Sequence, residues 1–192
     1  MVAFRASNQN PLQNAEIVSV KSAVTNPEYL QSHRLNDITV LVLRKSATTP
    51  PASVAGVADL VAARTTTLVG FGNNDPASSK GFGIKREVEV DIVALRRAAG
   101  DDLDDDETRY GFESDLELVA GGEGHDSCNG DSGGPAYIKV GNANAVAGLT
   151  SRATDTATSP CGDGGIYTRV DVQRQFIQQV ATKNGLGDIF GH

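Results

Sequence analysis

The sequence has no cluster of lysine or arginine, and its formal net charge is −7. A nucleic-acid binder needs a basic face, so that class is excluded. No run of about 20 apolar residues occurs, and no membrane span is expected. Cysteine is scarce, with only Cys128 and Cys161 among 192 residues. Two thiols in a cytosolic protein are usually free, whereas in an exported one they can pair; the sequence alone leaves both readings open. Residues Met1-Val2-Ala3-Phe4-Arg5-Ala6-Ser7-Asn8 lack the charged-then-apolar order of a signal peptide. Long helical patterns are missing as well. What remains is a chain 39% hydrophobic with 21 glycines and 7 prolines, a composition that points to an all-β protein. Its length suits one domain or two small, closely joined ones.

Short strand signals recur along the chain. They fall at Val2–Arg5, Ala15–Ser22, Ile38–Leu43, Thr66–Gly70, Lys85–Ala94, Leu116–Ala120, Ala136–Val140, Val146–Thr150 and Gly165–Val170. Their brevity and spacing suggest a barrel or sandwich. Ser7–Asn14 and Asn26-Pro27-Glu28 read as turns. Residues 44–64 read as a linker, since Pro50 and Pro51 fix φ and remove donors. Asp101-Asp102-Leu103-Asp104-Asp105-Asp106-Glu107 carries six like charges and is expected to be a solvated loop rather than a cation site. Near the end, Val172, Phe176, Ile177 and Val180 form one apolar helix stripe, with Asp171 placed to cap it.

One segment carries chemistry: Asp126-Ser127-Cys128-Asn129-Gly130-Asp131-Ser132-Gly133-Gly134-Pro135. A serine hydroxyl becomes a useful nucleophile when a base takes its proton and amides stabilise the oxyanion. Glycines on both sides of Ser132 let the backbone turn sharply and let a carbonyl approach. The N–H groups of Gly130 and Ser132 are then placed to face one oxygen. The pentapeptide Gly130–Gly134 also fits the nucleophile elbow of α/β-hydrolases. That fold needs a helix directly after the serine, and Gly133-Gly134-Pro135 would break one. A purely structural glycine turn leaves the Cys, Asp, Ser and Pro placement unexplained.

With these residues in view, the chain resembles the trypsin/chymotrypsin-like serine proteases over nearly its whole length. Asn36-Asp37-Ile38 is similar to the family's Asn-Asp-Ile segment, and Gly70-Phe71-Gly72 to its Gly-Trp-Gly turn. Gly148-Leu149-Thr150-Ser151 resembles its Gly-Ile-Val-Ser strand, and Gly165-Ile166-Tyr167-Thr168-Arg169-Val170 its Gly-Val-Tyr-Thr-Arg-Val strand. The resemblance implies two antiparallel six-stranded β-barrels, the first incomplete, and a C-terminal α-helix. Residues 1–43 would be the remainder of the first barrel, 44–64 the interdomain linker, and 65–192 the second barrel with the helix. It implies Ser132 as nucleophile, Asp37 as the triad aspartate, and the Gly130 and Ser132 amides as the oxyanion hole. A Cys128–Cys161 disulfide would bridge two walls of a substrate pocket lined by Asp126, Ser127, Ser151, Ala153 and Gly165. Asp126 at its floor implies cleavage after Arg or Lys, through a charge-assisted contact. Arg152 and Ala153 depart from the family's usual Trp and Gly; the Ala153 methyl is expected to narrow the entrance. The implied partners are protein or peptide substrates and protease inhibitors, with no nucleic acid, membrane, metal or cofactor. The implied location is secreted or extracytoplasmic.

The family's Thr-Ala-Ala-His-Cys segment, which carries the general base, is missing. His33, His125 and His192 all read as surface residues, His33 being the only candidate base. The family's Ile-Val-Gly-Gly start, whose amino group pairs with the aspartate matched by Asp131, is missing too. Without a partner, a buried Asp131 is expected to disturb the oxyanion loop. The 192-residue span is therefore expected to be inactive. In order of preference, it is a piece of a longer protease, a dead homologue used for binding, or a chain completed by another.

Overall fold

The computed structural model describes residues 1–4 and 15–190. Arg5, the turn-rich Ser7–Asn14 and His192 lie outside the described residues. The chain divides into two compact units, one of residues 1–51 with 172–192, the other of residues 52–171. This differs from the expected division at 43/44 and 64/65 and assigns the C-terminal helix to the first unit.

The second unit contains β5 (Ser53–Val54), α2 (Val57–Ala62), β6 (Thr65–Gly70), β7 (Arg86–Ala94), α3 (Asp104–Tyr110), β8 (Glu117–Ala120), β9 (Pro135–Val140), β10 (Ala143–Ala153) and β11 (Gly165–Arg169). Six strands run in the order β11-β8-β7-β6-β9-β10 and close through the β10–β11 pairing. The result is a closed antiparallel barrel, the chymotrypsin-like architecture. Alternation drives it: on β7, Val90, Ile92 and Ala94 are buried while Glu87, Glu89, Asp91 and Val93 face out. Leu68, Leu118, Ala136, Ile138, Ala145 and Tyr167 complete much of the interior.

Three expectations need correction. Residues 44–64 are more than a linker: β5 pairs in parallel with β10, and Leu60 of α2 is fully buried in the barrel core. The acidic run is partly helical. Asp104, Asp105, Asp106 and Glu107 occupy the first turn of α3, where carboxylates complement the partial positive charge of exposed N–H groups. Asp101 accepts from the N–H groups of Arg97 and Ala98, both at 2.7 Å. Local electrostatics thus offset the repulsion that favoured a loop. Asp171, finally, caps no helix; it forms a buried pair with Arg169, at 3.1 and 2.7 Å.

The first unit contains β1 (Val2–Phe4), β2 (Glu16–Val18), β3 (Val20–Thr25), α1 (Pro27–Ser32), β4 (Thr39–Leu43) and α4 (Arg174–Lys183). Its described strands form two separate ladders, β1–β2 and β3–β4. The turn read at Asn26-Pro27-Glu28 instead opens α1. Asn26 Oδ1 accepts from Glu28 N at 3.0 Å, and Pro27 stands in the first helical turn, where its missing N–H costs nothing. The helix at the end forms as expected but starts at Arg174, and α4 packs against β4.

Candidate active site

Ser132 is exposed on the loop that leads into β9. The loop is pinned on both sides of it. Asp131 N donates to Cys128 O at 3.0 Å, Gly134 N to Asp131 O at 2.8 Å, and Gly133 N to Thr150 O at 2.8 Å. Gly130 and Gly133 adopt φ of 96° and 78°, values that disfavour any residue with a Cβ. Among the described residues, neither the Gly130 nor the Ser132 amide has an acceptor. Both residues are exposed, so these two amides are open to solvent on the loop that bears the Ser132 hydroxyl.

Asp131, expected to be buried without a partner, is partly buried and has partners within the chain. Its Oδ1 accepts from Gly72 N at 2.7 Å and its Oδ2 from Cys128 N at 2.9 Å. The carboxylate lies so close to Gly70 and Gly72 that a methyl on either would overlap it. The glycines of the Gly70-Phe71-Gly72 turn are thus required by what packs on them.

Asp126 lies on the wall of a cavity of about 390 Å³, together with Ser127, the Cys128–Cys161 disulfide, Gly162 and Asp131. Further lining comes from residues 68–70, 72–74 and 86–88, Arg86 among them. The expected pocket residues Ser151, Ala153 and Gly165, and Ser132 itself, do not line it. Asp126 Oδ1 accepts from Gly162 N at 2.5 Å and its Oδ2 from Gly164 N at 2.8 Å. Burial pushes its pKa above the ordinary carboxylate value, while these two N–H groups pull it back. Nearby, the buried Tyr167 hydroxyl donates to Ser127 Oγ at 3.1 Å. Burial raises the Tyr167 phenol well beyond its usual range. A Cβ on Gly165 would come within 2.8 Å of that hydroxyl oxygen and 3.2 Å of Ser127 Oγ.

The remaining predicted pocket residues lie on β10. The β10–β11 register steps from Thr150↔Tyr167 to Arg152↔Ile166. Ser151 is therefore the extra residue of a bulge, a device that re-aims a strand edge. Ala153 is exposed and pairs with Gly165. Arg152 turns inward: its Nη1 and Nη2 donate to the two carboxylate oxygens of Glu117 at 2.5 and 2.9 Å, and Nη2 also to Gly111 O at 3.0 Å. Glu117 is fully buried.

Asp37 belongs to the first unit. Its neighbour Asn36 is buried with φ 57° and accepts from Gln173 Nε2 at 2.6 Å. Gln173 Oε1 in turn accepts from Asn26 Nδ2 at 2.9 Å. This buried amide network fixes the backbone that presents Asp37. His33 is exposed at the C-terminus of α1; its N–H donates to Tyr29 O at 2.7 Å. His125 is exposed in a tight turn, with Nδ1 3.2 Å from Glu123 O. Sequence reading missed Gly162, Gly164, Glu117 and Gln173, and the donor role of Gly72. The glycines act through backbone N–H groups, which leave no side-chain signature.

Comparisons with known proteins agree on one family. The family model described as Trypsin matches residues 2–177. The chain is similar to a tryptase of Mus musculus, 43% identical over 67 residues, covering 35% of this chain and 24% of the relative. It is 28% identical over 181 residues to melanization protease 1 of Drosophila melanogaster, covering 83% and 42%. It is 26% identical over 179 residues to glucanase inhibitor protein 3 of Phytophthora infestans, covering 89% and 64%. The chain spans less than two thirds of the length of each of these relatives.

Proposed function

The chain belongs to the trypsin family of serine proteases, and from that footing we propose that it is the larger part of an endopeptidase domain cleaving after Arg or Lys. Ser132 Oγ attacks the scissile carbonyl, and the Gly130 and Ser132 amides hold the oxyanion. The substrate's cationic side chain pairs with Asp126. Asp37 orients a histidine that this span does not supply at the family's position. Asp131 is the seat for an amino-terminal ammonium; its oxygens retain accepting capacity beyond the Gly72 and Cys128 amides. The observation that carries the reading is that the exposed Gly130 and Ser132 amides have no acceptor among the described residues, on the loop that also bears Asp126. Secretion follows as a proposal from the disulfide, since such bonds persist in oxidising compartments.

The 192-residue span is expected to hydrolyse an arginine ester little or not at all, because loss of a triad member removes several orders of magnitude of rate. Robust turnover that Ser132→Ala abolishes would overturn that inactivity. A fluorescent benzamidine tests the pocket without catalysis: binding that Asp126→Asn weakens supports the assignment, and binding indifferent to it sinks the assignment. The second reading is a catalytically dead homologue that binds another protein. Its support is the Phytophthora relative, a protein named as a glucanase inhibitor. The nucleotide sequence upstream of Met1 separates the two. An in-frame Ala-Ala-His-Cys and Ile-Val-Gly-Gly leaves the binder without support, and a genuine start signal there favours it.

A further inference from the structure

The chain contains two Asn-Gly pairs, Asn129-Gly130 and Asn184-Gly185. In such a pair the glycine nitrogen can attack the asparagine's own carboxamide carbon, because glycine has no Cβ to obstruct the five-membered ring. Local sequence chemistry is the same at both pairs, but their surroundings differ. At Asn184 the attacking nitrogen is occupied. Gly185 N donates to Thr182 O at 3.0 Å, where α4 ends. The Asn184 carboxamide Nδ2 donates to Val180 O at 2.9 Å, a contact on the leaving nitrogen that does not by itself separate this pair from the other.

At Asn129 the attacking nitrogen is unoccupied: Gly130 N has no acceptor among the described residues, and both residues are exposed. Asn129 Nδ2 does donate to Ser78 Oγ at 2.7 Å. That contact is on the nitrogen that leaves, not on the carbon that is attacked.

We propose that Asn129 is a site of spontaneous deamidation in the folded protein, selected over Asn184. Gly130 N gives up its proton to solvent and bonds to Asn129 Cγ. The Cγ–Nδ2 bond breaks, and Nδ2 leaves as ammonia with a proton returned from solvent. The resulting succinimide takes up one water at either carbonyl and opens to aspartate or isoaspartate. One water enters and one ammonia departs, with no oxidant or reductant.

The consequence for chemistry rests on the oxyanion role given to Gly130 under Proposed function. Isoaspartate inserts a carbon into the backbone directly before that amide. It also disturbs Asn129 O, which accepts from Asn73 N at 2.9 Å and from Asn73 Nδ2 at 3.2 Å. The new carboxylate stands on the same short loop as Asp126 and Asp131.

The test is peptide mapping by mass spectrometry, with isoaspartate-specific methyl labelling, after incubation at mildly alkaline pH. In the folded protein Asn129 should convert about five- to tenfold faster than Asn184, the factor that one hydrogen bond on the attacking nitrogen represents. In the reduced, denatured protein the two rates should converge, because each asparagine precedes a glycine. Equal rates in the folded protein, or faster conversion at Asn184, overturn the proposal. So does a preference for Asn129 that persists unchanged after denaturation, since it would then owe nothing to the fold. Peptidase activity does not enter the readout, so this proposal and the functional one fail separately.

Discussion

Asp126 is a half-buried carboxylate whose neighbours act in opposite directions. Burial disfavours its charge, Asp163 and Asp131 add to that, and the Gly162 and Gly164 N–H groups oppose both. Burial dominates, so the folded-state pKa lies above the ordinary 3.8. The folded protein therefore binds this proton more readily than the unfolded chain does. Its contribution to stability is fully favourable below 3.8 and declines as pH rises through the folded value. Cation binding has the opposite sense, since only the ionised form pairs with an amidinium. Benzamidine affinity should fall as pH drops through a midpoint above 3.8. Asp126→Asn should weaken binding roughly 10- to 100-fold at neutral pH and flatten that dependence. A midpoint at or below 3.8, read from dissociation constants against pH, would contradict a burial-driven shift. Sequence reading singled out Asp126 by its place six positions before Ser132. Its two donors were not legible, because an amide N–H carries no mark of residue type.

Strands β8 and β10 are joined by a feature that neither announces alone. All four residues of β8 are buried, and one of them is Glu117. A fully buried carboxylate is tolerable only with compensation. Arg152 supplies it through the fork of its guanidinium, and Glu113 N adds a third donor at 3.0 Å. Removing Arg152 alone leaves the buried charge uncompensated, so Arg152→Ala should destabilise by about 3 kcal/mol, the low end for a buried pair because the arginine side chain is 22% exposed. The double change Arg152→Met with Glu117→Leu should recover most of that loss, since an apolar pair of similar volume needs no charge partner. Chemical denaturation decides the matter; an Arg152→Ala chain as stable as the parent would remove the pair from any role in holding β10. In the sequence, Arg152 was visible as a departure from the resembled family, but its partner was not. Glu117 lies 35 residues away and reads as one polar residue in an apolar strand. The acidic run failed for a related reason. Counting like charges predicts repulsion, whereas α3 places four of them where helix N–H groups favour them.

Across the whole molecule, period-two patterning made much of the second unit's barrel legible, because β6, β7 and β9 bury alternate residues against one interior, whereas β8 and β11 are buried throughout. The first unit's described strands gave no such closure, and the short helix α1 was hidden by its Asn-Pro opening, which serves turns and helix starts alike. These differences carry into dynamics. Closed barrels leave no free strand edge, whereas a two-stranded ladder has one on each side. Native-state hydrogen exchange should therefore find the slowest amides on β6–β11, with β1–β2 and β3–β4 exchanging earlier. The disulfide acts on a different part of the second unit. It closes a segment with 33 residues of sequence separation, for which chain entropy alone gives about 4 kcal/mol of stabilisation. Its two cysteines sit on loops rather than on barrel strands. Reduction should accordingly raise exchange in the segments around Asp126–Ser132 and Ser159–Gly164 first. The β6–β7 and β9–β10 ladders should stay protected until global stability falls. A barrel that loses protection together with those loops, at the lowest reductant that opens the bond, would mean that the disulfide holds the fold itself. Loss confined to the loops would mean that it holds the cavity wall beside Asp126, and that is the outcome the barrel's own hydrogen bonding and buried core predict.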